Sequence, residues 1–233
     1  MIDLLRFIEA EVEVHQEKIL KGEDDDGSYA GAYLREIESA KSEGRDTPLH
    51  LYHLKANIVE LFIGGSETTS STLWWGIYLL ATNMDVQRKI QEELDAIIGL
   101  DNLPTLRDMD RLPYTNAAIF EVMRLGDLIP MSVPHRTTQD TVLEGYRIPK
   151  DTFVFLNLTR CLKGKEFWER PDKFYPEHFL TPDGKLYKPD AFMPFGTGKR
   201  VCLGESLARL ELFLFFATLV HRFTWSLSND PVT

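Results

Sequence analysis

The sequence predicts a mainly α fold with a small β part, and three observations lead to it. Apolar residues recur at helical spacing over most of the chain up to Leu125, and again after Gly204. Pro130 and Pro134 then break that pattern, and short runs around turns at Glu144-Gly145 and Pro149-Lys150 read as strands. From Phe174 to Gly198 there is little periodicity and much Pro and Gly, a long coil of the kind that is usually functional in a compact domain.

Taken in order, residues 1 to 21 set Leu4, Leu5, Ile8, Val12, Ile19 and Leu20 among charged groups, which predicts a surface helix. Gly22 to Gly27 enclose Glu23, Asp24, Asp25 and Asp26. This reads as a solvated acidic connection, because the ligand spacing of a calcium loop closed by Glu is absent. Tyr29 to Glu43 predicts a second helix ending near Gly44, and Thr47-Pro48 opens a third. That third helix, about Leu49 to Thr82, is the longest. Its middle joins Gly64-Gly65 to the hydroxyl-rich run Ser66-Glu67-Thr68-Thr69-Ser70-Ser71-Thr72. Paired glycines weaken a helix, and a threonine hydroxyl can bond the carbonyl four residues back. A bulge or kink is expected there, with Thr68 reaching the Gly64 carbonyl. Val86 to Gly99 is a charged amphipathic helix, Thr105 a candidate N-cap for a short turn, and Leu112-Pro113 opens a helix over Tyr114 to Leu125. Val133 to Thr137, Thr141 to Ile148 and Thr152 to Leu156 read as short strands.

Composition narrows the function classes. The 233 residues are 43% hydrophobic and 27% charged, ordinary for a globular chain with a core. A net charge of −10 argues against a nucleic-acid partner. Two cysteines, Cys161 and Cys202, make no disulfide framework. Met1 to Arg6 reads as amphipathic helix rather than a secretory leader, so Asn157-Leu158-Thr159 is taken as a chance glycosylation pattern. No run is apolar enough to cross a bilayer. A zinc or cysteine-hydrolase site finds no His-Glu-x-x-His, no paired cysteines and no His beside Cys202.

The candidate chemistry centres on Phe195-Gly196-Thr197-Gly198-Lys199-Arg200-Val201-Cys202-Leu203-Gly204, followed by an apolar helix from Glu205. A thiol near a helix start sits where N–H groups and the dipole favour negative charge, and the thiolate is the form that ligates metal. Gly196 and Gly198 permit positive φ and close approach of the backbone to a flat ligand. The pattern Phe195-Gly196-x-Gly198-x-Arg200-x-Cys202-x-Gly204 resembles the haem-binding loop of the cytochrome P450 monooxygenases. Three further motifs follow that family's order. Gly64-Gly65-x-Glu67-Thr68-Thr69 resembles its oxygen-binding segment, with Gly where Ala is commoner. Glu121-Val122-Met123-Arg124 resembles its Glu-x-x-Arg helix, and Pro176-Glu177-His178-Phe179 its Pro-Glu-Arg-Phe stretch, with His in the Arg position.

The resemblance implies the C-terminal part of the cytochrome P450 fold over residues 1–233, one partial domain without the membrane anchor and substrate-covering helices. It looks most like animal microsomal members, on the cytoplasmic face of the endoplasmic reticulum membrane, with membrane association through a segment outside this chain. It implies haem, with Cys202 as axial thiolate ligand to iron. Glu67 and Thr68 would deliver protons, and Phe195, Gly198 and Gly204 would shape the loop. Arg200 and His135 would hold propionates, although His135 also fits an ordinary satisfied histidine. Glu121 and Arg124 would pin the scaffold under the haem, with a third member, His178, that is neutral where Arg is charged. The implied reaction inserts one atom of O₂ into a small apolar substrate. Electrons would come from an NADPH-dependent flavoprotein reductase docking near Lys199 and Arg209. Two other classes share these motifs: a peroxide-rearranging relative that needs no external electrons, against which Glu67-Thr68 argues, and a haem-binding fragment without catalytic activity.

Overall fold

A computed structural model describes residues 2–22 and 27–228. The acidic run Glu23 to Asp26 lies outside the described residues. The architecture is mainly helical with a few small strands, as the spacing of apolar residues predicts. The helices are α1 (Ile2–Leu20), α2 (Tyr29–Ser42), α3 (Leu51–Thr82), α4 (Met84–Ile98), α5 (Pro113–Gly126), α6 (Leu158–Lys163) and α7 (Glu205–Arg222). The chain divides into two compact units, residues 1–67 and residues 68–233.

In the first unit, Ile8 and Val12 of α1, Tyr33 and Leu34 of α2, and Leu54 of α3 form a buried cluster. The Ser28 side chain caps α2 by accepting from the Gly31 N–H at 3.1 Å. Gly44, at φ +67°, ends that helix's turn where the sequence places it. Helix α3 begins at Leu51, two residues later than expected, after Thr47 Oγ1 accepts from the Leu49 N–H at 3.2 Å.

Helix α3 stays α-helical from Leu51 to Thr82, without the bulge expected at the glycine pair. Hydroxyl back-bonds in its second half include Thr72, which donates to the Thr68 carbonyl at 2.8 Å, and Thr82, which donates to the Tyr78 carbonyl at 3.0 Å. Such a bond shares a carbonyl with the helix ladder without interrupting it.

The second unit is organised around α5, whose residues 115–124 are all buried. Ala117 and Ala118 let neighbours approach, and the core continues through Phe120, Phe179, Phe192, Phe213 and Phe216. Glu93 of α4 caps α5: its carboxylate accepts from the Tyr114 and Thr115 N–H groups at 2.9 and 2.8 Å and from the Thr115 hydroxyl at 2.7 Å. That serves three donors at a helix start, where negative charge is favoured. Buried Gln87 binds the Trp225 backbone in both directions, at 2.9 and 2.8 Å.

The β part is smaller than expected. Strand β1 (His135–Arg136) pairs antiparallel with β4 (Phe153–Val154), His135 opposite Val154. Strands β2 (Thr141–Leu143) and β3 (Tyr146–Ile148) form a hairpin. Glu144 at φ 49° and Gly145 at φ 83° make its two-residue turn, the geometry that matches strand twist.

Candidate functional site

The loop before α7 is built by its own backbone. The Cys202 N–H donates to the Phe195 carbonyl at 3.0 Å, and the Gly196 N–H to the Met193 carbonyl at 3.0 Å. Gly196 and Gly198 both take positive φ, +76° and +73°. Nothing lies within 4 Å of where a Cβ would stand on either. The open space therefore sits on the face a bulky group can use, and any side chain there would strain the backbone. Cys202 is exposed, and its carbonyl accepts the Glu205 N–H at 3.3 Å as α7 begins. Leu203 beside it is 91% exposed.

Glu121 and Arg124 are both fully buried and joined by two 2.7 Å bonds, Nε to Oε2 and Nη2 to Oε1. The other three guanidinium hydrogens go to the carbonyls of Leu162 (2.9 Å), Pro171 (2.8 Å) and Lys173 (3.1 Å). An arginine has five N–H donors, and all five are used. Glu121 also accepts the Tyr175 N–H at 2.9 Å. His178 completes the group: its Nε2 accepts the Arg170 backbone N–H at 3.2 Å, and Nδ1 lies 3.3 and 3.4 Å from the Glu121 oxygens. A backbone N–H can only donate, so Nε2 carries a lone pair and Nδ1 the proton. His178 is the neutral tautomer, donating to Glu121. The carboxylate is then balanced by one guanidinium alone. These bonds tie the coil from Pro171 to His178 to α5.

His135 sits on β1 with a buried Nδ1 that has no hydrogen-bond partner. Arg200 is exposed and makes no ion pair among the described residues. Glu67 is exposed and Thr68 half-buried. Thr68, Thr69 and Thr72 line a cavity of about 60 Å³ whose other walls include Asp127, Ile129, Phe195 and Leu212. Thr69, one position along the helix, thus faces the same space as Thr68, and its hydroxyl lies 3.5 Å from Glu211 Oε2. Of the two cations expected at a docking face, Lys199 is exposed. Arg209 is not free for that role. It binds Glu205 at 2.9 and 2.7 Å one turn earlier, and lies over the rings of Phe120, Phe192 and Phe195 at 5.1, 5.9 and 5.0 Å.

Sequence reasoning missed Glu93, Glu211 and Asp127. Asp127 follows Gly126 at the end of α5 and takes the left-handed conformation, φ 44°. An Asp just past a helix end was the available signal.

The donor set bears on which group fits. Among the described residues no three of His, Cys, Asp and Glu come together to hold a metal ion, so a bare ion lacks its ligands here. A lone exposed thiol suits iron whose other ligands come with a flat group. The open faces of Gly196 and Gly198 leave room for one, and the orphaned His135 Nδ1 and uncommitted Arg200 suit its carboxylates. The residues fit haem.

Comparison with known proteins agrees. The family model described as Cytochrome P450 matches residues 3–233. The chain is 47% identical over 195 residues to Cytochrome P450 2D6 of Pan troglodytes, covering 84% of this chain and 39% of that protein. It is 43% identical over 222 residues to Cytochrome P450 2B9 of Mus musculus, 95% of this chain and 45% of that protein. Cytochrome P450 2D15 of Canis lupus familiaris is 47% identical over 195 residues. The chain therefore matches between 39% and 45% of the length of these relatives.

Proposed function

Because this chain belongs to the cytochrome P450 family, we propose that it is the iron-binding part of a haem-thiolate monooxygenase that oxidises a small apolar substrate. The observation that carries this reading is the loop: an exposed thiol beside two positive-φ glycines with open outer faces, in a chain of this family. Haem, when bound, supplies the O₂ chemistry that places one oxygen atom in the substrate and releases the other as water.

The chain's own residues have separable tasks. Cys202 Sγ, as thiolate, is the ligand to iron. Gly196 and Gly198 let the backbone lie close to the ring, and Phe195, through its carbonyl, fixes the Cys202 N–H. The His135 ring nitrogen and the Arg200 guanidinium hold the propionates. Glu121 and Arg124 fix the coil beneath. Thr68 Oγ1 moves a proton inward, and solvent-exposed Glu67 exchanges protons with bulk water. Electrons come from an NADPH-dependent flavoprotein reductase near Lys199, at the cytoplasmic face of the endoplasmic reticulum membrane.

The test uses the complete protein. Cys202→Ser should abolish the red-shifted Soret band of the reduced carbon monoxide complex, and an unchanged band removes Cys202 as ligand. Thr68→Val should keep haem content while product per NADPH falls and released hydrogen peroxide rises. Thr69 shares the cavity, so the control is Thr82→Val, exposed and back-bonded to the Tyr78 and Leu79 carbonyls. Equal coupling in wild type and Thr68→Val sinks the relay. A normal carbon monoxide band without turnover in wild type selects the non-catalytic haem-binding reading.

A further inference from the structure

The carboxylate of Asp127 is 7% exposed, yet only one of its oxygens is served. Oδ2 accepts the Thr159 hydroxyl at 2.7 Å and lies 3.5 Å from Lys163 Nζ. Oδ1 is buried with no hydrogen-bond partner. Leaving a buried carboxylate oxygen in that condition is costly unless something donates to it. Asp127 lines the cavity of about 60 Å³ that Thr68, Thr69 and Thr72 also line. Two of the cavity's hydroxyls are already committed: that of Thr72 to the Thr68 carbonyl and that of Thr69 towards Glu211. Both oxygens keep lone pairs that can accept.

We propose that this cavity is a built hydration site, and that Asp127 is the interior carboxylate that positions its water against the hydroxyl row of α3. One water needs roughly 10–15 Å³ of such space and two to four polar partners. The cavity exceeds that volume, and the partners it offers are Asp127 Oδ1 and the oxygens of the lining threonines. A water donates one hydrogen to Oδ1 and the other to a threonine oxygen, which settles both accounts. Lys163 already balances the charge of Asp127, so a neutral donor is favoured over a cation. The cavity is too small for an organic substrate. Asp127 is thus a positioning residue that acts through water on the proton-delivering row, and it reaches that row from inside the fold, whereas Glu67 is exposed.

The positioning role rests on the monooxygenase reading; the hydration site does not. The first measurement is a crystal structure of the complete haem-loaded protein. The expected result is a water peak within hydrogen-bonding distance of Asp127 Oδ1 and of at least one threonine hydroxyl. A dry cavity overturns the proposal whatever the enzyme's activity. The second measurement compares wild type with Asp127→Asn, which keeps the Thr159 bond but turns the cavity-facing acceptor into a donor. Haem content and the carbon monoxide band should be unchanged, while hydrogen peroxide released per NADPH consumed rises on the order of tenfold. Unaltered coupling in a folded Asp127→Asn protein overturns the positioning role. If Asp127→Asn does not fold, Thr72→Val replaces it, with loss of the water peak expected and an undisturbed peak counting against the site. Wild type that consumes no NADPH refutes the monooxygenase reading and with it the positioning role, and leaves the hydration site to be decided by its water peak.

Discussion

Arg124 shows what a guanidinium requires once it is taken wholly out of water. Every N–H has an acceptor, two on Glu121 and three on backbone carbonyls, and the Trp168 ring lies 5.0 Å from Cζ. Removing one partner of such a pair leaves the other buried and unbalanced, at a cost of about 3–5 kcal/mol. Arg124→Ala should therefore destabilise the chain by that amount in denaturant unfolding, and lower haem incorporation because the coil from Pro171 to Tyr175 loses its anchor. Wild-type stability and haem content together would reduce the network to a passive contact. Arg124→Lys should rescue little, since an ammonium has three donors and no fork.

At the scale of elements, the turn at Leu106–Arg111 gives a pH signature. Asp108 Oδ2 accepts from the Thr105 hydroxyl at 2.7 Å and from the Thr105 N–H at 3.0 Å. The hydroxyl bond first, then the backbone bond, lower its pKa from the ordinary 3.8. A carboxylate lowered on folding stabilises the fold above its unfolded value and loses that contribution as pH falls through the folded value. Thermal unfolding followed below about pH 4 should lose this increment in wild type, and Asp108→Asn should show no such step. Thr105 was readable as a cap because its side chain and a nearby acid stand at the right interval. Other elements were not. Leu158–Lys163 is six residues, too short for periodicity, and its cap, Asn157 accepting the Arg160 N–H at 3.1 Å, lay in the Asn157-Leu158-Thr159 run read as a chance glycosylation pattern. The long helices were legible because apolar residues recur along them at helical spacing, and the cysteine loop because its glycines and thiol sit at fixed intervals. The cavity was illegible for the opposite reason: Thr68, Asp127 and Phe195 meet only through tertiary packing.

For the whole molecule, every residue proposed to hold haem lies in the unit of residues 68–233. Haem should raise the stability of that unit by about 2.7 kcal/mol at a hundredfold excess over its dissociation constant. Calorimetry with and without haem checks this, and a midpoint indifferent to haem would deny the site. The buried network also has a history in time. Glu121 waits for Tyr175, 54 residues downstream, before its last backbone partner exists. On a ribosome adding about 5–20 residues per second, that interval is roughly 3–11 s. Through those seconds the nascent α5 carries an ion pair it cannot yet bury and an apolar surface it cannot yet cover. Synonymous codons between residues 125 and 175 thereby set how long this helix is open to chaperones.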